Sequence, residues 1–144
     1  MVTSRIRAGL QNARDERESL GAVSSMSSIS RDLWGRKLKL EIYPEGGEVS
    51  SDAQSLALER LCSAWEVVEK SAAKLKEYCA KDSDGGDMGN VFRYVMPRYL
   101  FLPTVQKKRT VALMCDYRFD PEHGIALVFE NETLREIGPQ DIIL

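Results

Sequence analysis

Within residues 36–43, RKLKLEIY, polar and apolar positions alternate from Lys37 to Ile42. Leu38, Leu40 and Ile42 fall on one side, and Lys37, Lys39 and Glu41 on the other. Successive strand side chains point to opposite faces, so a period of two predicts a half-buried strand of an antiparallel sheet. Pro44, Gly46 and Gly47 end it. The period then changes. Leu58, Leu61, Trp65, Val68, Ala72, Leu75 and Cys79 recur in steps of three and four, which keeps one helix face apolar. Ser51 and Gln54 have the spacing of a capping box, and Asp52 suits the first turn. The pattern predicts one helix over about 51–80. With strand-like segments on both sides, its stripe is expected to cover a sheet rather than form a coiled-coil seam.

The segment 81–90, KDSDGGDMGN, breaks that helix. Residues 91–102, VFRYVMPRYLFL, are aromatic and β-branched enough for a strand, and Pro97 marks an edge position or a bulge. Residues 110–119, 124–130 and 133–138 are three more strand segments, and 142–144 a short last one. The fold class expected is α+β: an antiparallel sheet of four to six strands, with one long helix packed on one face.

The first thirty residues differ in texture. Ile6, Leu10 and Ala13 lie on one side of a short amphipathic helix within 1–18, whereas 19–30, SLGAVSSMSSIS, is rich in serine. Such a segment buries too little to offset its ordering entropy. The division expected is a flexible arm over 1–30 and a single α+β domain over 31–144. Arg5, Arg7, Arg14 and Arg17 are not followed by an apolar run, so no secretory signal is expected; Asp15, Glu16 and Glu18 argue against an organelle transit peptide.

Composition narrows the function classes. The 144 residues are 43% hydrophobic and 29% charged, with a formal net charge of −2. No global field draws such a chain to nucleic acid or anionic lipid, and no apolar run approaches the roughly 20 residues of a membrane span. Cys62, Cys79 and Cys115 are an odd set. On one helix, Cys62 and Cys79 would lie about 25 Å apart, far beyond disulfide reach. Buried thiols in a reducing cytoplasm are the expectation.

Catalytic chemistry finds few residues to use. His123 is the only histidine. If FDPEHG makes a hairpin turn with Phe119 opposite about Ile125, Cys115 lies roughly 13 Å down the strand, too far for a Cys–His dyad. The run Asp82-Ser83-Asp84-Gly85-Gly86-Asp87 begins like a calcium loop, but Gly86, Asp87 and Arg93 stand where a ligand, a glycine and a bidentate glutamate are needed. No zinc spacing is present, and GGDMG follows a helix, unlike a phosphate-binding turn. Lys107, Lys108 and Arg109 near Tyr94, Tyr99 and Phe101 superficially resemble an RNA platform, but core packing accounts for the aromatics. No metal, cofactor or nucleic acid is therefore expected.

Carboxylates crowd the C-terminal third. Asp116, Asp120, Glu122, Glu130, Glu132, Glu136 and Asp141 face only Arg118 and Arg135, seven against two for a net charge of −5 over 110–144. The plain reading is a solvated polar face. The functional reading is an acidic surface, presented by Asp116, Asp120, Glu122, His123, Glu130, Glu132 and Glu136, that steers a basic protein partner.

DLWGRKLKLEIYP, the long helix and CDYRFDPEHGIALVFENETLREIGPQDI together resemble a family of uncharacterised bacterial domains over about residues 32–144. The most specific part is Asp120-Pro121-Glu122-His123-Gly124 with Ile125, Leu127, Phe129, Ile137 and Gly138. The resemblance implies a small cytoplasmic protein often encoded near toxin systems, some relatives being thought to be immunity proteins. It carries no catalytic residue. Without it, Pro121 and Asp120 suit a turn, and Gly124 gives a permissive φ where the next strand begins. The function expected is a non-catalytic protein-binding module, an immunity protein whose acidic surface neutralises a basic toxin domain. A structural or homodimeric scaffold and an enzyme of unrecognised type are the alternatives.

Overall fold

The computed structural model describes residues 28–47, 49–82 and 90–144. The described residues hold six strands in one sheet, ordered as in the chain: β1 (Ser28–Leu33), β2 (Arg36–Pro44), β3 (Val95–Leu102), β4 (Thr110–Tyr117), β5 (Ile125–Glu130) and β6 (Thr133–Gly138). Three helical segments separate β2 from β3: α1 (Asp52–Ser63), α2 (Trp65–Glu69) and α3 (Ala72–Asp82). A 3₁₀ turn (Val91–Arg93) precedes β3, and another (Gln140–Ile142) follows β6. The class is α+β, as the alternation of periods implies.

The sheet is mixed rather than wholly antiparallel. β2 runs parallel to β3, with Glu41 beside Tyr99 and Pro44 beside Leu102; every other pair is antiparallel. Parallel neighbours need a crossover, and the helices supply it. The expected strand at 142–144 is instead the end of the C-terminal 3₁₀ turn, where Ile142 and Ile143 donate to the Pro139 and Gln140 carbonyls.

Residues 28–30, expected in the flexible arm, begin β1. Ile29 and Leu33 are buried, so the serines there alternate with core residues despite the local composition. The short helix and serine-rich segment expected within 1–27, and the loop 83–89, lie outside the described residues.

The single long helix is broken twice. Ser51 and Gln54 do form the capping box, the Ser51 hydroxyl accepting from Gln54 N (3.1 Å) and Gln54 Oε1 from Ser51 N (2.8 Å). The stripe also faces the sheet: Leu58, Leu61, Trp65, Val68, Leu75 and Cys79 are buried, while Ser71 replaces Ala72 as the buried residue at the second break. Both breaks sit where tryptophans tie the crossover to the β1–β2 hairpin. Trp65 Nε1 donates to the Asp32 carbonyl (2.8 Å), and Trp34 Nε1 to that of Val68 (3.3 Å). The Ser71 hydroxyl also donates to Val68 O (2.5 Å), closing the chain into a turn. Side chain-to-backbone bonds of this kind compete with the helical ladder.

One core lies between the helices and the sheet, with Leu33, Leu40, Leu100, Leu113, Leu127 and Phe129 against Leu61, Val68 and Leu75. A smaller cluster, Phe101, Ala112, Met114, Ala126 and Val128, occupies the other face, with Tyr99, Ile142 and Ile143 packed on it. Pro97 sits at a bulge: the β3–β4 register shifts between Pro97 and Tyr99. β2 pairs with β3 only from Tyr99 onward, so proline's missing N–H disturbs no β2–β3 ladder bond.

Candidate functional site

The seven residues expected to form one acidic surface fall in three places. Asp120, Glu122 and His123 lie on the β4–β5 turn, at one end of the sheet. Asp116, Glu130 and Glu136 alternate with core residues of β4, β5 and β6 on the face away from the helices. Glu132 occupies the β5–β6 turn at the opposite end, where Glu130 pairs with Thr133.

Most of these carboxylates are matched within the chain. Arg98 donates to Asp116 (2.6 Å). Glu130 meets Arg135 at 2.9 Å and Lys108 at 3.8 Å, and Arg135 also reaches Glu136 (3.2 Å). Arg109 forks onto Glu132 with bonds of 2.7 and 3.0 Å. That fork holds the Glu132 carboxyl below the usual carboxylate range and raises Arg109. Glu122 has no ion-pair partner among the described residues.

Asp120 bonds the local backbone of the β4–β5 turn, as the sequence implies. Asp120 accepts from the His123 backbone N–H (3.3 Å) and lies 3.1 Å from its Nδ1 through both carboxylate oxygens. The hydrogen bond with Asp120 raises the imidazole above its ordinary value. Gly124 has φ +62°, and a Cβ there would meet Cys115 O at 2.8 Å and Gln140 Nε2 at 2.5 Å. Only glycine fits, because Gln140 anchors the C-terminal turn here: its N–H donates to His123 O (3.1 Å) and its Nε2 to Cys115 O (3.0 Å). The register differs from the sequence reading, since Cys115, not Phe119, stands opposite Ile125. Cys115 is nonetheless fully buried, its thiol pushed well above the ordinary value by burial, whereas His123 is exposed. None of the three cysteines is in a disulfide. Among the described residues, no group of three or more His, Cys, Asp or Glu could hold a metal ion, and no helix is long and apolar enough to cross a membrane.

At the other end an open groove of about 450 Å³ lies beside the β3–β4 connection. Pro103, Val105, Lys107, Lys108 and Thr110 form one side; Glu45, Glu130 and Ile143 complete it. Of the residues expected to bind a partner, only Glu130 lines it. The connection is braced from within. The Gln106 amide donates to the carbonyls of Pro103 and Thr110 (2.9 Å each) and accepts from Thr110 N (2.7 Å). Glu45 accepts from Thr104 N (2.8 Å), and Asn131 exchanges bonds with Arg109 (2.9 and 3.2 Å). Val105 remains 67% exposed. Sequence reasoning weighed only Lys107, Lys108 and Arg109 of this loop, as a nucleic-acid platform, and did not single out Val105. Its signal was the polar segment 103–109 carrying a lone valine between two apolar strands.

The chain belongs to the Domain of unknown function (DUF6985) family, whose model matches residues 22–144. The match begins ahead of β1, so it includes the start of the sheet that composition alone assigned to an arm. No curated protein and no solved structure matches the chain.

Proposed function

We propose that this chain is a non-catalytic protein-binding module that docks its partner at the groove beside the 103–109 connection. The carrying observation is a braced loop that holds Val105 in solvent. Because the loop is ordered before any partner arrives, less entropy is lost on association. Loops held in place by a rigid scaffold are where binding residues concentrate. The non-catalytic reading is supported by the burial of Cys115 in the core while the lone imidazole stands on an exposed tip.

A narrower form makes the partner a bacterial toxin domain and this chain its immunity protein. That form rests on the resemblance of the Asp120–Gly124 hairpin, and it would draw on cytoplasmic encounter with the toxin. Calorimetry against the product of the neighbouring gene tests both. Val105→Asp is expected to weaken binding at least tenfold. Reversing Glu122, Glu130 and Glu132 tests the acidic surface instead. Binding that ignores Val105→Asp but collapses on charge reversal would move the site to the carboxylates. A dimer in light scattering that Val105→Asp dissociates would assign the groove to a second copy.

A further inference from the structure

Two hairpin turns of the sheet share a geometry and differ at one position. Leu33 pairs with Arg36 around Trp34 (φ +52°) and Gly35 (φ +90°); Glu130 pairs with Thr133 around Asn131 (φ +50°) and Glu132 (φ +60°). A two-residue turn with positive φ at both positions favours Asn-Gly, because most L side chains are crowded in left-handed backbone. The β1–β2 turn has its glycine at the second position. The β5–β6 turn has Glu132 there instead. Backbone of this kind at a residue other than glycine persists only where its surroundings hold it.

What holds Glu132 is Arg109. The carboxylate takes the guanidinium as a fork of 2.7 and 3.0 Å, with the Glu132 side chain 19% exposed, and such a fork fixes direction as well as distance. Asn131 holds the same residue by its backbone, Oδ1 accepting from Arg109 N (3.2 Å) and its own N–H donating to Arg109 O (2.9 Å). Arg109 ends the 103–109 connection, and the next residue, Thr110, carries the Gln106 bonds that brace it. Trp34 also reaches out from left-handed backbone, but to the Val68 carbonyl of the helical crossover, so it fastens the core. Among the described residues, the Glu132 side chain hydrogen-bonds only to Arg109. Taking the groove as the docking site, we infer that Glu132 is a positioning residue for it: the β5–β6 turn keeps a crowded backbone so that the fork can set the loop that presents Val105.

Two variants test this at neutral pH. Glu132→Gly removes the fork and the crowding together; Glu132→Gln removes the charge and keeps the crowding. Thermal melts read the fold, and nitrogen-15 relaxation with amide exchange reads the loop. Glu132→Gly is expected to melt above Glu132→Gln, since it alone relieves the backbone. In both, the Arg109 and Thr110 amides should exchange about tenfold faster while Leu113 and Leu127 stay protected. Order parameters at Val105–Lys108 should fall from about 0.85 toward about 0.6. Glu132→Gly melting at or below Glu132→Gln would overturn the crowding. Unchanged exchange at Arg109 and Thr110 would overturn the positioning role and leave the docking site standing. Faster exchange that extends equally to Leu113 and Leu127 would make Glu132 a support of the sheet, overturning the inference. Partner binding that ignores Val105→Asp would instead remove the docking site and leave the hold on the loop intact, so the two fail separately.

Discussion

The two faces of the sheet are closed with different material. Toward the helices the strands present Leu40, Leu100, Leu113, Leu127 and Phe129, long side chains that reach Leu61, Val68 and Leu75. Away from the helices the middle of the sheet presents Ala112 and Ala126 beside Met114 and Val128. A surface this shallow needs only a short cover, and Ile142 and Ile143 of the C-terminal turn lie on it. The helix face is deep and sealed; the other is thin, anchored through Gln140, and leaves a groove at one end. On the function proposed above, stability and partner contact belong to opposite sides of one sheet.

Core truncation should separate the faces most sharply. Leu127→Ala, fully buried under the helices, is expected to cost about 3–5 kcal/mol, and Met114→Ala on the thin face nearer 2 kcal/mol, by urea denaturation. Equal losses would mean the thin face is packed as tightly as the deep one. Next comes Gln54, whose amide caps α1 and also donates to the carbonyls of Leu102 (2.8 Å) and Glu45 (3.2 Å). Gln54→Ala should cost about 1–3 kcal/mol, and a loss under 0.5 kcal/mol would show that water replaces those bonds.

A smaller, pH-dependent effect belongs to the groove end. The Glu132 carboxyl is depressed in the folded protein by Arg109, so its contribution is complete above the ordinary carboxylate value. It fades as pH falls through the depressed folded value. Glu132→Gln should therefore lower Tm at neutral pH and leave it nearly unchanged in acid; a pH-independent offset would place the effect in the turn, not the charge. Smallest of all, Val105→Ser and Lys107→Glu should each change stability by less than about 0.5 kcal/mol. A larger loss in thermal melts would make the loop part of the fold's support rather than a surface held ready for a partner.

Elements whose packing follows from local pattern were legible in the sequence. β6 occupies 133–138 as read, and the alternation of Leu38, Leu40 and Ile42 emerges as the buried side of β2. Alternation has no direction, however, so it could not show that β2 and β3 run parallel. The stripe from Leu58 to Cys79 gave no sign of the helix breaks, which follow from bonds reaching in from Trp34 and the Asp32 carbonyl. The dispersal and internal pairing of the acidic residues were hidden for a related reason. A charge count over 110–144 omits Arg98, Lys108 and Arg109, the residues just upstream that the fold lays against Asp116, Glu130 and Glu132.

The parallel seam between β2 and β3 has a kinetic meaning. Strands β3 to β6 follow one another through short connections, so their contacts close early in folding. The seam joins only Glu41–Pro44 to Tyr99–Leu102, across more than fifty residues of chain. Its closure requires a long loop to be ordered first. The four-strand meander should thus act as a template on which the leading hairpin is zipped last. Pulsed hydrogen exchange would record this order as early protection of Leu113 and Leu127 and late protection of Leu40 and Ile42.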